Sequence, residues 1–526
     1  MTGKKIVTVS LSIILLSTFS LPFSACNKKL DINSTRQSDE ANSWKTIDDA
    51  RSGLMGIYGL FRAAVADNNA HWLLGELRSG DFTALKRPDL KAIIEGRLNA
   101  SYPVIESITN WRRFYAAINA CNLFIERSGE AMTDTRYTEI NHKIDVAQAR
   151  VIRAFVYYYM VRIWGDVPLL TKSYDNGVFK EFPRSSKEDV LGFAVREIEE
   201  AAPLLPYVYG GGDPLLPGLL YHTKTYSEWK NMLINKVSAY AILAHITALQ
   251  GNYYATAGYT DFVMQNYNRI NINYLSVADL TGKTGIFNEL AGDLSSDQNQ
   301  FISFNFIKGL GESSVSGHIE QLTLAYPLVS KQLPDIYITN DTLATMFPVS
   351  NGQDLRFGTD TSSVDQGTPT LYRNAYITGY GEEIPIFSKI KSINGGIAGE
   401  SQFNVYTSAI LFTRLEEITL LRAEALAVLG HESDAVSLLN NIRSRRGVKA
   451  FDPAVPGADL IKEIFEERRR ELIGEGWRWY DLVRYNKIKK NDPVFNNLIN
   501  TGGIYWPIAK EVLNNNSRIT QNPYWK

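Results

Sequence analysis

The sequence predicts a mainly α-helical protein in which paired helices form a scaffold that carries long irregular insertions and a few short strands. Three observations support this fold class. Apolar residues recur with a period near 3.6 residues over about 40–270 and again over 411–486. The region between them, about 270–410, is rich in Gly, Ser, Asn, Asp and Tyr and lacks that period. Hydrophobic residues make up 44% of the 526 residues, as expected for a folded chain.

The first residues are typical of an export signal that ends at a lipid-attachment site. Lys4 and Lys5 precede an uncharged apolar run, and Ser24-Ala25-Cys26 then resembles the end of a lipobox. The run is about long enough to cross a bilayer, so a transmembrane anchor is the alternative. Its Ser and Thr residues and the position of Cys26 favour cleavage. We therefore predict that residues 1–25 are a lipoprotein signal peptide and that Cys26 carries the lipid anchor.

Helical segments account for most of the remaining chain. The predicted helices are 46–66, 107–128, 136–164, 186–202, 226–250, 253–268, 411–429, 432–446, 458–474 and 476–486. We expect a single domain over residues 26–526. Its parts are an N-terminal helical half at about 40–270, a loop-rich insertion at about 270–410 and a C-terminal helical region at 411–526.

The segment from Leu421 to Ala435 is typical of a tetratricopeptide hairpin. Small residues at Ala423, Ala427 and Ala435, with Gly430 at the turn, allow two helices to approach closely. The hairpins do not repeat in tandem, so we predict a tetratricopeptide-like helical-hairpin scaffold that is interrupted by long insertions. Long insertions on a helical frame commonly carry binding surfaces.

Residue patterns of catalytic and metal sites are absent from the sequence. No two of the six histidines have the spacing of helical zinc ligands, and neither a Gly-x-Ser-x-Gly elbow nor a Walker A lysine occurs. Cys121 lies in a helical pattern, where we expect a buried, inert thiol. The net charge of -1 disfavours nucleic acid as a partner. We expect no enzymatic activity, no metal and no cofactor; a surface hydrolase with paired carboxylates is the alternative, because their sequence spacing is not fixed.

A dense charged segment lies at residues 465–484. In the favoured interpretation it is structural, with Arg468 and Arg470 reaching acidic partners on neighbouring helices and Trp477–Tyr480 packing around a break at Gly474. An anion site formed by the arginines is the alternative.

This segment resembles the motif of the SusD/RagB family, the nutrient-binding outer-membrane lipoproteins of Bacteroidota. The matching residues are Leu439-Asn440-Asn-Ile442-Arg443, Glu467-Arg468-Arg-Arg-Glu471-Leu472 and Glu475-Gly476-Trp-Arg478-Trp-Tyr-Asp481-Leu482-Val-Arg484, together with Ala147-Gln-Ala149-Arg150, Trp164-Gly165-Asp166-Val167-Pro168-Leu169 and Trp506-Pro507-Ile508. Because these motifs occur in order, the resemblance covers nearly all of the mature chain.

The resemblance implies a tetratricopeptide-like protein that is anchored by lipid to the outer membrane and exposed at the cell surface. Such proteins have no enzymatic activity of their own. They capture oligosaccharides and deliver them to a SusC-like TonB-dependent transporter. Peptides are the alternative ligand, and the sequence does not discriminate between the two.

Aromatic and polar residues in predicted loops are the ligand-binding candidates, since sugar rings stack on aromatic faces. They are Trp72, Arg78, Asp81, Tyr207, Tyr209, Phe306, His318 and Tyr326. The first three resemble a segment in which glycan-binding members place an Arg/Asp pair and aromatics; alternatively, Arg78 and Asp81 only brace a turn. For Tyr207 and Tyr209, the alternative is a role in the scaffold or on the side that faces the transporter. The last three lie where other members contribute an aromatic platform. Trp111 and Tyr115 are expected in the core.

Overall fold

The computed structural model describes residues 43–526 except 175–179, 217, 219, 230–232, 283–284, 288–300, 308–309, 358–375, 397–398 and 400–402. The predicted signal peptide and Cys26 lie outside the described residues. Within them the protein is mainly helical, and the paired strands form small two-stranded antiparallel sheets.

In the described part of the N-terminal half, three long helices form the centre. The helices are α1 (Ile47–Ala66), α2 (Ala70–Gly75), α3 (Pro88–Ile94), α4 (Pro103–Ile108), α5 (Arg112–Arg127), α6 (Glu139–Trp164), α7 (Lys187–Ala201), α8 (Tyr226–Trp229), α9 (Lys236–Gln250) and α10 (Tyr253–Asn266). Helices α1, α5 and α6 pack against one another.

The insertion contains short helices and strands, and the C-terminal region returns to long helices. The described elements there are α11 (Val277–Thr281), α12 (Glu320–Thr323), α13 (Asn340–Met346), α14 (Leu415–Val428), α15 (Glu432–Arg445), α16 (Leu460–Leu472), α17 (Arg478–Lys489), α18 (Pro493–Thr501) and α19 (Lys510–Asn515). The strands of the whole described chain are β1 (Thr83–Ala84), β2 (Ile302–Phe304), β3 (Ile336–Tyr337), β4 (Ile377–Thr378), β5 (Ile386–Phe387) and β6 (Ile410–Thr413). Their pairs are β1 with β3, β2 with β6 and β4 with β5.

Local capping explains where several helices begin. Thr46 accepts a hydrogen bond from the Asp49 amide at 3.2 Å, and the Asp49 carboxylate accepts one from the Thr46 amide at 2.8 Å, so α1 begins with a capping box. Between α9 and α10, Gly251 adopts a φ of 79°, and Asn252 then caps α10. The predicted helix 226–250 is wrong as a continuous helix, because residues 233–235 lie between α8 and α9 and are not helical. The other predicted helices are confirmed, several with shifted ends.

Two of these shifts have a clear cause. A separate short helix that begins at Pro103 delays the start of α5 to Arg112. Residues 411–413 belong to β6, which pairs antiparallel with β2, so α14 begins only at Leu415. This pairing ties the insertion to the C-terminal scaffold.

The hairpin architecture expected from the sequence is present. Helices α14 and α15 pack together across a turn in which Gly430 has a φ of 83°. Ala423 and Ala435 are fully buried where the two helices meet. The tetratricopeptide-like character of the scaffold is therefore confirmed.

Helix α6 passes through the centre of the core, and nearly all of its second half is buried. The Phe155 ring lies 5.1 Å from that of Phe61 and 4.6 Å from that of Phe412. These contacts join the first helix, the central helix and β6. A large share of the aromatic residues therefore belongs to the core.

Cys121 lies in the same core and is fully buried, as expected. Burial raises the pKa of its thiol to about 12. None of the helices in the described part of the chain is both long and apolar enough to cross a bilayer.

Candidate ligand-binding surface

The predicted Trp72–Asp81 segment is packed into the scaffold rather than exposed in a loop. Residues 70–75 form α2, which corrects the expectation of a non-helical stretch there. Trp72 is 3% exposed, and its ring lies edge-on to that of His71 at 5.6 Å. Its face is therefore covered by protein.

Arg78 and Asp81 have separate partners. Arg78 is 8% exposed, donates a hydrogen bond to the carbonyl of Ile504 at 3.0 Å, and lies 4.0 Å above the Trp479 ring. Burial lowers its pKa to about 9. In this conformation its donors bind the C-terminal segment.

Asp81 is also buried, at 6% exposure. Its carboxylate lies 2.5 Å from Arg469 and 3.1 Å from Arg478, both in the C-terminal region. The two predicted partners, Arg78 and Asp81, thus brace the N-terminal segment against the C-terminal one. These contacts agree with the alternative that Arg78 and Asp81 have a structural role, but they reach the C-terminal region instead of bracing only a local turn.

The loop with Tyr207 and Tyr209 is anchored to the helical scaffold. Tyr209 is 4% exposed, and its hydroxyl donates to the Ile234 carbonyl at 2.5 Å. Tyr207 is half-buried, with the Arg269 guanidinium 3.4 Å from its ring centre. Tyr207 therefore keeps some accessible surface, whereas Tyr209 keeps very little.

Phe306 and His318 are brought together by the insertion. Their ring centres are 4.6 Å apart, and the Arg62 guanidinium lies 4.9 Å from the Phe306 ring. Arg62 also pairs with Glu312 at 2.6 Å, which fixes this loop on α1. Phe306 is half-buried and His318 is fully buried, so His318 supports the phenyl ring from the inside.

The imidazole of His318 is neutral at physiological pH. Burial lowers its pKa to about 4. Its Nδ1 lies 3.1 Å from the carbonyl oxygen of Ser408, which requires Nδ1 to carry the proton and donate. The ring is therefore a fixed, uncharged structural group.

Tyr326 is the one predicted candidate with a largely exposed side chain, at 59%. Its backbone amide donates to the Lys331 carbonyl at 2.7 Å, which closes a tight loop. The neighbouring Ser330 donates to the Asn404 side chain at 3.1 Å. These bonds place the 403–404 segment beside the Tyr326 loop.

Phe403, which the sequence interpretation missed, is 89% exposed in that segment. A phenylalanine among Ser, Gln and Asn residues was the available signal. Val315, at 56% exposure, belongs to the same region because the adjacent Ser314 exchanges backbone hydrogen bonds with Tyr406 at 2.8 and 3.1 Å. We call the exposed set of Val315, Tyr326 and Phe403 the insertion surface.

Polar groups border the insertion surface. Asn69, in the turn between α1 and α2, donates to the Gln321 side chain at 2.9 Å, and Lys331 donates to the Gln321 carbonyl at 2.8 Å. Exposed rings beside amides, hydroxyls and one ammonium group can stack on a ligand and hydrogen-bond its edge. Among the described residues, no group of His, Cys, Asp or Glu could hold a metal ion.

The alternative anion site in the charged C-terminal segment is contradicted by the pairing of its arginines. Arg468 is fully buried and lies 2.9 Å from Asp481 and 2.8 Å from Glu417. Arg470 lies 2.9 Å from Glu467. Because carboxylates already neutralise these cations, the structural interpretation is confirmed, although Arg470 pairs within its own helix and not with a neighbouring one.

Comparisons with known proteins agree with this architecture. The SusD family model matches residues 388–500, and a second SusD-like family, described as starch-binding and associating with the outer membrane, matches residues 96–215. A SusD superfamily protein of Bacteroides thetaiotaomicron, known from a crystal structure, is 48% identical; the match covers 92% of this chain and 100% of that one, with a TM-score of 0.81.

Two more distant proteins extend the comparison. The SusD-like protein P38 of Formosa agariphila is 27% identical, and the match covers 99% of this chain and 100% of that protein. A laminarin-binding SusD-like protein is 19% identical with a TM-score of 0.64, over 91% of this chain and 100% of that one, and this likeness shows the shared fold. With its motifs, its hairpin scaffold and a close structural relative in agreement, the chain belongs to the SusD/RagB family.

Proposed function

We propose that this protein is a lipid-anchored protein on the outer face of the outer membrane that captures oligosaccharides and delivers them to a SusC-like TonB-dependent transporter. The observation that carries the proposal is the insertion surface, where Tyr326 and Phe403 are 59% and 89% exposed. The family description as starch-binding and associated with the outer membrane supports a glycan ligand and an outer-membrane location.

The chemistry of the insertion surface suits a sugar chain. The apolar C–H face of a pyranose stacks on an aromatic ring, while its hydroxyls exchange hydrogen bonds with amides and hydroxyls at the ring edge. Tyr326 and Phe403 supply the rings, and Ser330 and Asn404, which hydrogen-bond each other, supply a hydroxyl and an amide on the same two segments. The described residues of this surface provide no paired carboxylates in a cleft, so the proposed role is binding rather than hydrolysis.

Affinity electrophoresis of the purified protein through gels that contain starch, laminarin or other polysaccharides tests the ligand class. We expect retardation by at least one polysaccharide. Tyr326→Ala and Phe403→Ala are each expected to weaken it about tenfold, which corresponds to about 1.4 kcal/mol. Tyr254→Ala is the matched control, because Tyr254 is 83% exposed on the scaffold helix α10.

Two outcomes would contradict the glycan proposal. One is the absence of retardation by every polysaccharide together with binding of peptides from a protein digest. The other is retardation that both aromatic variants leave unchanged, which would place the ligand elsewhere on the protein.

The anchor and the partner are tested separately. Cys26→Ala is expected to release the protein from the membrane fraction, and retention there would contradict lipid anchoring. Purification of the wild-type protein from detergent-solubilised outer membranes is expected to bring a TonB-dependent transporter with it. Recovery of the protein alone under mild detergent conditions would contradict a stable complex.

A further inference from the structure

A cavity lies between the start of α5, the segment that follows α6, and the C-terminal helix α19. Its volume is about 310 Å³. This is the small end of the range for ligand pockets, roughly 300–1,000 Å³, and it suits a ligand of one or two rings. The insertion surface does not include it, and of its lining residues only Pro168 belongs to the family motifs given above.

Aromatic side chains form the apolar wall of this cavity. Trp111 and Tyr115 lie edge to face at 5.8 Å, and the Tyr115 hydroxyl donates to the Pro168 carbonyl at 2.7 Å. Trp111 is buried, as expected for a core residue, whereas Tyr115 is half-buried. Phe182 also lines the cavity, and its backbone carbonyl accepts a hydrogen bond from the Asn516 side chain at 3.0 Å. The wall is therefore built from fixed rings.

The rim of the cavity is polar and nearly balanced in charge. Glu511 accepts from the Asn110 amide at 2.7 Å and lies 3.6 Å from the Arg112 guanidinium. Lys180 and Asn515 also line the cavity, and both are exposed. Donors and acceptors thus surround an aromatic wall, and the carboxylate offsets one of the two cations. This combination favours a polyhydroxylated neutral ligand over a simple anion.

The turn between α1 and α2 contacts α5, which lines the cavity, and also contacts the insertion. Asp67 in this turn lies 3.0 Å from Arg113 in α5. Asn69, two residues later, donates to Gln321 in the insertion at 2.9 Å. One short turn therefore contacts both α5 and the insertion.

We propose that this cavity is a second saccharide subsite, which holds one or two sugar rings against Tyr115 and Phe182 while Arg112, Lys180 and Asn515 hydrogen-bond their hydroxyls. The inference rests on the proposed function, since it takes the same ligand class. It adds a site that is separate from Tyr326 and Phe403. A chain end or side branch of a bound glycan is the fragment that a cavity of this size accommodates.

Saturation-transfer NMR with the methyl glycosides of glucose, galactose, mannose and xylose tests the subsite. We expect transfer to the ring protons of at least one glycoside with the wild-type protein. Phe182→Ala removes part of the wall, and Asn515→Trp fills the cavity from its exposed rim; both are expected to weaken this binding about tenfold. Because both positions are partly exposed, circular dichroism is expected to show unchanged folding.

The Tyr326→Ala/Phe403→Ala double variant separates this inference from the proposed function. It is expected to lose polysaccharide retardation in gels while keeping saturation transfer to the small glycoside. The inference is overturned if no glycoside shows transfer with the wild-type protein, or if the signal persists in both cavity variants. Either of these results leaves the gel test of the insertion surface unaffected. Conversely, absence of retardation in the gels, by itself, would leave the NMR evidence for the cavity unaffected.

Discussion

Glu471 and Arg414 form an ion pair in which the Oε1 and Nη1 atoms are 2.7 Å apart and neither side chain is exposed to solvent. The same carboxylate lies 2.7 Å from Arg446 and 2.9 Å from Arg356. These arginines come from the start of α14, the end of α15 and the insertion, whereas Glu471 lies in α16. One carboxylate therefore ties three separate segments together.

Glu471→Gln is expected to lower the free energy of unfolding by about 3–5 kcal/mol, because it removes one partner of a buried charge cluster and leaves guanidinium groups uncompensated. Urea denaturation at pH 7 measures this loss. Burial opposes the ionisation of Glu471, but Arg446 and Arg414 outweigh it and hold its pKa well below the ordinary value. Its contribution is thus present above pH 4.5 and disappears as the pH falls through its lower native pKa.

Glu466→Gln is the matched control on the same helix. The Glu466 side chain is 30% exposed and pairs with Arg469 at 3.4 Å. Because solvent screens such a pair, we expect a change below about 1 kcal/mol. Equal losses in the two variants would contradict the role assigned to the buried cluster.

Helical periodicity and local spacing were sufficient to predict the scaffold. The structural role of the charged residues in 465–484 was correctly predicted, and Arg468 pairs with neighbouring helices as expected. Arg470 was wrongly expected to do so, because its partners Glu463 and Glu467 lie on its own helix. The burial of the candidate ligand-binding residues was not predictable from local sequence spacing. His71, beside Trp72, lies 2.9 Å from the carbonyl of Glu475, and this contact joins positions 404 residues apart.

The insertion was predicted only as loops and short strands. Its long-range contacts, such as the pairing of β2 with β6, leave no periodic signal in either segment. Phe403 was missed for a related reason, since a single exposed ring in a polar segment has no neighbour at helical or strand spacing. Tyr326 was identified through the family resemblance rather than through its local pattern.

Cys121 is expected to resist thiol reagents in the native protein. It is fully buried, and burial raises the pKa of its thiol to about 12, so almost no thiolate is present. In a Cys26→Ala variant it is the only thiol of the chain. A colorimetric disulfide reagent at pH 8 should label none of it in the native state and all of it in denaturant. Rapid labelling of the native protein would contradict the packed core around α5.

Glu320 is expected to make the protein less stable as the pH rises from 4.5 to 7. It accepts from the Ser392 amide at 3.0 Å and from the Ser408 hydroxyl at 2.7 Å, and burial raises its pKa to about 7. Because the native state holds this proton longer than the unfolded state, its ionisation costs up to about 3 kcal/mol by pH 8. Glu320→Gln keeps the shape and removes the charge, so it should be the more stable protein at pH 8.

His318 titrates in the opposite sense over nearly the same range. Its pKa is lowered to about 4, so it favours the native state as the pH rises from 4 to 6.5. The two effects offset each other in the wild-type protein, and only the difference between wild type and Glu320→Gln isolates the carboxyl group. Urea midpoints at several pH values measure that difference. Glu383→Gln, at an exposed position, is the control substitution. A stability difference between wild type and Glu320→Gln that does not change with pH would contradict the raised pKa of Glu320.

Two glycine substitutions test the junction of α2 with the C-terminal segment. A Cβ atom on Gly75 would lie 1.9 Å from the carbonyl oxygen of Gly476, so Gly75→Ala requires the two backbones to separate. We expect a loss of about 1–3 kcal/mol, as for other overpacked cores. Gly56→Ala in α1 meets nothing within 4 Å and should instead stabilise the protein by about 0.5–1 kcal/mol through helix propensity. Thermal unfolding of both variants measures these changes. Stability of Gly75→Ala equal to or higher than that of the wild type would rule out the close backbone contact between Gly75 and Gly476.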